Sequence, residues 1–312
     1  MSHPRPTVAV ELADEYTGHR GSIFALVADQ AERYAYTAGD DGVVARWDLQ
    51  GPADLGSGVM QAGTAIYALA LMPVHGYLAA GGSDGTVYFV DLAKQEVVHT
   101  HRKTTGAIYG LHYEPGRDLL WLLHAQGALS VIRVADFSER GYARIGQNHL
   151  RSIEDCGDGV HFLIGSSDQH IYYFDRRRGK VAHQWQAHDN SVFALRLHQA
   201  GHYLLSGGRD AHLNVWDQRR HFHLIKRIPA HNFTINHIAM HPGGDYFVTA
   251  SRDKTLKLWD AYQWELLKVI DHARDEGHVH SVNRLLWLSH DNSLLSCSDD
   301  RRLLRWRITV AK

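Results

Sequence analysis

Cysteine is scarce in this chain of 312 residues, where Cys156 and Cys297 are the only two. Two thiols cannot supply a disulfide framework or a Cys-rich zinc site, and their rarity fits a reducing compartment. No run approaches the roughly 18 apolar residues needed to cross a bilayer, and the opening Met1-Ser-His-Pro-Arg-Pro-Thr carries no apolar signal stretch. The expectation is a cytoplasmic protein without a membrane partner. Charge of one sign is missing too: a net charge of −1 argues against broad polyanion binding, so nucleic acid is not the expected partner. Nucleophile elbow, phosphate loop, zincin helix and paired-carboxylate motif are all absent. What is abundant is core material, with 44 % hydrophobic residues, enough for one large or two medium domains.

A repeat decides between them. Stepping back six residues from Trp259 gives Asp253, and the same step links Trp47 to Asp41, Trp216 to Asp210 and Trp306 to Asp300. Asp84 before Val90 and Asp168 before Phe174 keep the acid and lose the indole, while Gln126 before Ile132 has lost both. The turn positions 41, 84, 126, 168, 210, 253 and 300 are spaced by 42 or 43 residues until the last step of 47. Some 18 residues upstream of each turn stands Ile23, Ile66, Ile108, Leu150, Val192, Ile235 or Val282, aliphatic in every unit. Short alternating runs within a unit, such as Ser191–Leu197, Tyr203–Ser206, His212–Trp216 and His221–Ile228, read as four strands. Four strands in about 42 residues make one propeller blade.

With Gly18-His19 before Asp41 and Trp47-Asp48, Ala187-His188 before Asp210 and Trp216-Asp217, Ala230-His231 before Asp253 and Trp259-Asp260, and Gly277-His278 before Asp300 and Trp306, the chain resembles the Trp-Asp (WD) repeat β-propeller family over essentially its whole length. The resemblance implies an all-β, seven-bladed propeller filling residues 1–312 as a single domain, with four antiparallel strands per blade. It also implies a hydrogen-bonded network inside each well-matched blade: His19, Thr37, Asp41 and Trp47; His188, Ser206, Asp210 and Trp216; His231, Thr249, Asp253 and Trp259; His278, Ser296, Asp300 and Trp306.

The N-terminal run 7–12 lies where every other unit has its fourth strand, and the last unit runs out of chain before forming one, so residues 7–12 are expected to complete the last blade. Units 2, 3 and 4 depart from the pattern. Unit 2 has no Gly-His, unit 3 has Gln126, Ile132 and Arg133, and unit 4 has Gly146 in the His position. The polar network is expected to be absent there, replaced by apolar packing between blades. Extra polar residues near 271–277 read as a surface insertion.

Partners of propellers of this family are often held by residues where the innermost strands begin. One position after each aliphatic start the sequence reads Phe24, Tyr67, Tyr109, Arg151, Phe193, Asn236 and Asn283. The position before each turn adds Asp40, Arg209, Arg252 and Asp299, with Ser83, Ala125 and Ser167 on the intervening units. Aromatic residues and Arg dominate interface energetics and suit an extended peptide with an acidic end. Arg176–Lys180 with Arg219-Arg220 is a second candidate, a basic patch on the opposite face that reads by default as a solvated turn. The 24 histidines include the pairs His99/His101, His221/His223 and His278/His280, which share a side if extended, yet no converging ligand set emerges and no metal or cofactor is expected. The reading is a non-catalytic scaffold, a monomeric propeller acting within a complex and binding a protein or peptide. The alternative is a propeller hydrolase or lactonase with a metal or carboxylate site in the central channel, which would show converging His, Asp or Glu at the mouth.

Overall fold

The structure is a computed structural model that describes residues 7–53, 56–198 and 202–311. Its strands form seven four-stranded antiparallel sheets. The innermost strands are Ile23–Ala28, Ile66–Met72, Ile108–Glu114, Leu150–Asp155, Val192–Leu197, Ile235–Met240 and Val282–Trp287. Each packs against the innermost strand of the next sheet, and Val282–Trp287 returns to Ile23–Ala28. The ring is therefore closed, a seven-bladed β-propeller. Among the described residues no helix is long and apolar enough to cross a membrane.

The hydrophobic core is divided. Seven buried clusters occur, one between each pair of neighbouring blades. Second strands such as Tyr246–Ser251 are buried along nearly their whole length because a blade covers each face, whereas rim strands such as His223–Pro229 are largely exposed. The position six residues after each turn packs toward the preceding blade whatever its chemistry. Trp259 lies in the cluster between blades 5 and 6, and Val90, Ile132 and Phe174 hold the same place in theirs.

Blade 7 is completed from the N-terminal side. Strand Thr7–Tyr16 pairs antiparallel with Leu303–Ala311, from Thr7 opposite Ala311 to Tyr16 opposite Leu303, with a bulge between Leu12 and Asp14. It is longer than the expected 7–12, and its far end is anchored by Tyr16, buried edge-on against Trp47 of blade 1 at 5.9 Å between ring centroids. Residues 271–277 form a single helical turn, His272–Asp275, capped by Asp271, which accepts from the Arg274 N–H at 3.0 Å. Arg302 Nη2 donates to Gly277 O at 2.9 Å and ties this insertion to the last blade.

The expectation that units 2 to 4 lack polar networks needs correction in two of them. In blade 3, half-buried Thr104 occupies the histidine position and contacts His124 Nδ1 at 3.2 Å, while His124 Nε2 meets Ser130 Oγ at 2.7 Å in the blade interior. In blade 4 the Tyr172 hydroxyl donates to Asp168 Oδ2 at 2.6 Å. The phenol fills the space a histidine would take, since a Cβ on Gly146 would meet Tyr172 Oη at 3.0 Å. In blade 2 the histidine, hydroxyl and indole positions are apolar, with Ala62, Ala80 and Val90 in one cluster, and Asp84 accepts from Thr86, through its N–H at 3.0 Å and its hydroxyl at 2.8 Å.

Candidate functional site

Four blades carry the hydrogen-bonded chain in full. In blade 6, Trp259 Nε1–H donates to Thr249 Oγ1 at 2.9 Å, Thr249 meets His231 Nε2 at 2.7 Å, and His231 Nδ1 meets Asp253 Oδ2 at 2.9 Å. An indole can only donate and a carboxylate can only accept. A neutral imidazole with its proton on Nδ1 therefore satisfies every atom. The same chain runs through Trp47, Thr37, His19 and Asp41; Trp216, Ser206, His188 and Asp210; and Trp306, Ser296, His278 and Asp300. Burial alone would raise the Asp210 carboxyl, but the hydrogen bonds it accepts from the His188 ring and from the Asp189 and His212 N–H groups outweigh it and hold the pKa down at about 2. Asp253 and Asp300 are depressed further, again against burial, by His231 and His278. These residues are held by one another; in blade 1, His19, Asp41 and Trp47 also line an open space of about 740 Å³ beside the rim strand Gly56–Gln61.

The candidate mouth is built differently. In all seven blades the pairing of innermost and second strands shifts between the aliphatic start and the residue two later. The residue between, unpaired in each ladder, is Phe24, Tyr67, Tyr109, Arg151, Phe193, Asn236 or Asn283. A bulge inserts an extra residue and re-aims its side chain. All seven line one cavity of about 340 Å³ on the channel axis, joined by Arg284. They form an arc. Phe24 and Tyr67 lie 5.2 Å apart, Tyr67 stacks on Tyr109 at 5.5 Å, and the Arg151 guanidinium sits 4.2 Å from the Tyr109 ring centre and 5.1 Å from that of Phe193. Arg151 Nε–H also donates to Ser167 Oγ at 2.8 Å, so it is packed into the arc. The two asparagines bind neighbouring blades: Asn236 Nδ2 donates to Val282 O and Asn283 Nδ2 to Ile23 O, each at 2.8 Å.

Outside this cavity the rim residues separate. Arg209, Arg252 and Asp40 are exposed, whereas Asp299 accepts from Asn283 Nδ2 at 2.8 Å. Phe233, which sequence reasoning passed over, is 58 % exposed on the same face, two residues past His231. The basic patch on the other face does not include Arg176, which is buried against Phe162 and paired with Asp155 at 3.0 Å and Glu114 at 3.4 Å. Arg178 and Arg220 are exposed and pair locally with Asp175 and Asp217, and Arg219 contacts His202. Two of the histidine pairs are not extended as supposed: His221 sits in a left-handed turn, and His278 is buried while His280 is exposed in an irregular loop. Among the described residues no three His, Cys, Asp or Glu side chains are placed to share a metal ion.

Below the mouth lies a second cavity of about 180 Å³, and Tyr67, Tyr109, Arg151, Phe193 and Arg284 line both. Because of the bulge, the position after each mouth residue also faces the axis: Ala25, Ala68, Gly110, Ser152, Ala194, His237 and Arg284. Blades 1 to 5 contribute small side chains there, and blades 6 and 7 fill the vacated volume with an imidazole and a guanidinium. Arg284 was invisible to simple alternation, which turns the residue after a mouth position away from the channel. His237 Nδ1 accepts from the Leu285 N–H at 3.3 Å, and burial beside Arg284 and Arg196 keeps its pKa well below the usual value. Glu154, raised by burial, accepts from the Leu197 N–H at 2.9 Å and pairs with Arg196 at 3.5 Å.

Fold and site thus define a repeat propeller with an aromatic and cationic mouth. The sequence profile described as "WD domain, G-beta repeat" matches residues 11–48, 58–91, 179–217, 222–260 and 266–307, more than half of the chain. The chain belongs to that family. The unmatched interval from 92 to 178 is where blades 3 and 4 use their substitute networks. Among curated proteins it is similar to Striatin-4 of Homo sapiens, 23 % identical over 233 residues, and to Striatin of Rattus norvegicus, 22 % identical over 245 residues. These matches cover 66 % and 67 % of this chain but 30 % and 29 % of the relatives, so the chain spans about three-tenths of their length. The crystal structure of the WD40 beta propeller domain of Doa1 superposes with a TM-score of 0.83 at 17 % identity, covering 96 % of this chain and 97 % of that one. That likeness is one of fold.

Proposed function

We propose that the protein is a non-catalytic interaction platform that holds a peptide or protein segment on the face where the innermost strands begin. The observation that carries this is the convergence of seven bulge residues on one mouth, with a continuous arc from Phe24 to Phe193. Aromatic rings and guanidinium groups supply large, rigid contact area at low entropic cost and are the usual anchors of interfaces. Exposed Arg209, Arg252 and Phe233 extend the surface over blades 5 and 6. Membership of a repeat family and similarity to the striatins support a scaffold role. The carboxylates near the axis favour it over the hydrolase alternative, because Asp299 is engaged by Asn283 and Glu154 by Arg196 and the Leu197 amide.

The test is capture of partners from the protein's own cell extract by the intact chain, compared with Tyr67→Ala and with Arg209→Glu/Arg252→Glu. Both variants are expected to keep the melting profile and to lose the captured species. Full retention by both would overturn the face assignment.

A further inference from the structure

Arg284 carries a charge that the protein does not neutralise. Its Nε–H donates to Phe24 O at 3.3 Å, and among the described residues its Nη groups have no acceptor and no carboxylate lies within ion-pair reach. Arg151, on the same two cavities, is held by rings and a hydroxyl and also lacks a counter-ion. The neighbouring acid, Glu154, is taken by Arg196. His237, with Nδ1 occupied as an acceptor, carries its proton on Nε2 and is a further donor lining the deeper cavity. Burial lowers the pKa of both Arg151 and Arg284. Taking a guanidinium out of water without a partner is unfavourable, and an anion arriving there recovers that loss.

The five small side chains of blades 1 to 5 leave room beside these donors, and the mouth above, about 340 Å³, suits one or two residues of an extended chain rather than a folded domain. We propose that the channel is a carboxylate receptor: a bound peptide lowers a carboxylate onto Arg284 and Arg151, with its flanking side chain against Tyr67 and Tyr109. This rests on the reading of the mouth as a peptide site and specifies its ligand. The carboxylate comes either from a chain terminus or from an Asp or Glu side chain, because planar two-point pairing with guanidinium serves both.

The experiment uses the full chain and four matched random hexapeptide libraries: with or without Asp and Glu, each with a free or an amidated C-terminus. The expected result is selective retention of carboxylate-bearing peptides, weakened about tenfold or more by Arg284→Met and unchanged by Arg178→Ala on the opposite face. Arg284→Lys is expected to recover part of the binding. Retention restricted to free termini identifies a terminal carboxylate, and retention of amidated acidic peptides identifies a side chain. Equal binding of the amidated library without acidic residues, blocked by Tyr67→Ala, overturns the carboxylate receptor and leaves the mouth intact. Binding by none of the libraries overturns both readings. If Arg284→Met fails to fold while Arg284→Lys folds and binds no better than tenfold below the parent, the charge is structural and the proposal falls.

Discussion

Trp259 is buried and yet spends its one polar group on Thr249, so removing that group leaves the ring's packing almost unchanged. Trp259→Phe therefore isolates the hydrogen bond plus a modest loss of volume, and is expected to lower unfolding free energy by about 1–3 kcal/mol in urea titration. Asp253→Asn is the harsher change, because the carboxylate accepts from His231 and from the Asn232 and Thr255 amides, and an Asn amide has one acceptor oxygen. Tyr172→Phe in blade 4 removes only one of the bonds to Asp168 and is expected to cost less than either; a cost equal to Asp253→Asn would show that the substitute network matters as much as the full one. The four full networks are legible in the sequence because fixed spacing carries all four partners. The substitutes are not: in blade 3 the partners moved to Thr104, His124 and Ser130, two of them off the repeat columns, and only three dimensions bring them together.

Strand Thr7–Tyr16 acts as a clasp between blades 7 and 1. Glu11 pairs with Arg307 at 2.9 Å in solvent and contributes little, while Asp14 pairs with Arg305 at 3.4 Å and Glu15 with Arg302 at 3.3 Å on arginines that are largely buried. The larger contribution is the ladder to Leu303–Ala311 and the burial of Tyr16 beside Trp47. Deleting residues 7–16 leaves the whole edge of Leu303–Ala311 unpaired and strips Tyr16 from Trp47, and the melting temperature is expected to fall by about 10 °C or more, against a few degrees for Glu11→Gln. An unchanged melting temperature would contradict the closure. The strand's existence was legible from the missing fourth strand of the last unit. Its reach to Tyr16 was not, because a bulge at Leu12 to Asp14 breaks the alternation that would have extended the reading.

Across the whole molecule, acid acts through the buried histidines before it acts through net charge. Burial holds His124 down to about 4, and lowers His231 and His237 as well. An unfolded histidine titrates near 6.5, so between pH 6.5 and 4 the unfolded chain takes up protons that the folded chain refuses. Stability is full above that window and falls through it, by on the order of 3 kcal/mol for His124 alone. A second loss follows below about pH 4, where unfolded aspartates protonate while Asp210 stays ionised to about 2. Urea midpoints at pH 7, 5 and 3 are expected to fall in two steps; a flat profile from pH 7 to 4.5 would contradict the first. The number of histidines, 24, is legible in the sequence, but which of them resist protonation depends on burial between blades.

The seven bulges separate what the ring is from what it recognises. A residue that takes no part in the ladder can be exchanged without disturbing the strand pairing, and the ring offers one such residue per blade, all at the same height around one opening. Asn236 and Asn283 also tie one blade to the next, so the mouth offers five addresses, on blades 1 to 5, that mutation can rewrite one at a time, and a propeller built this way can change its ligand while keeping its architecture.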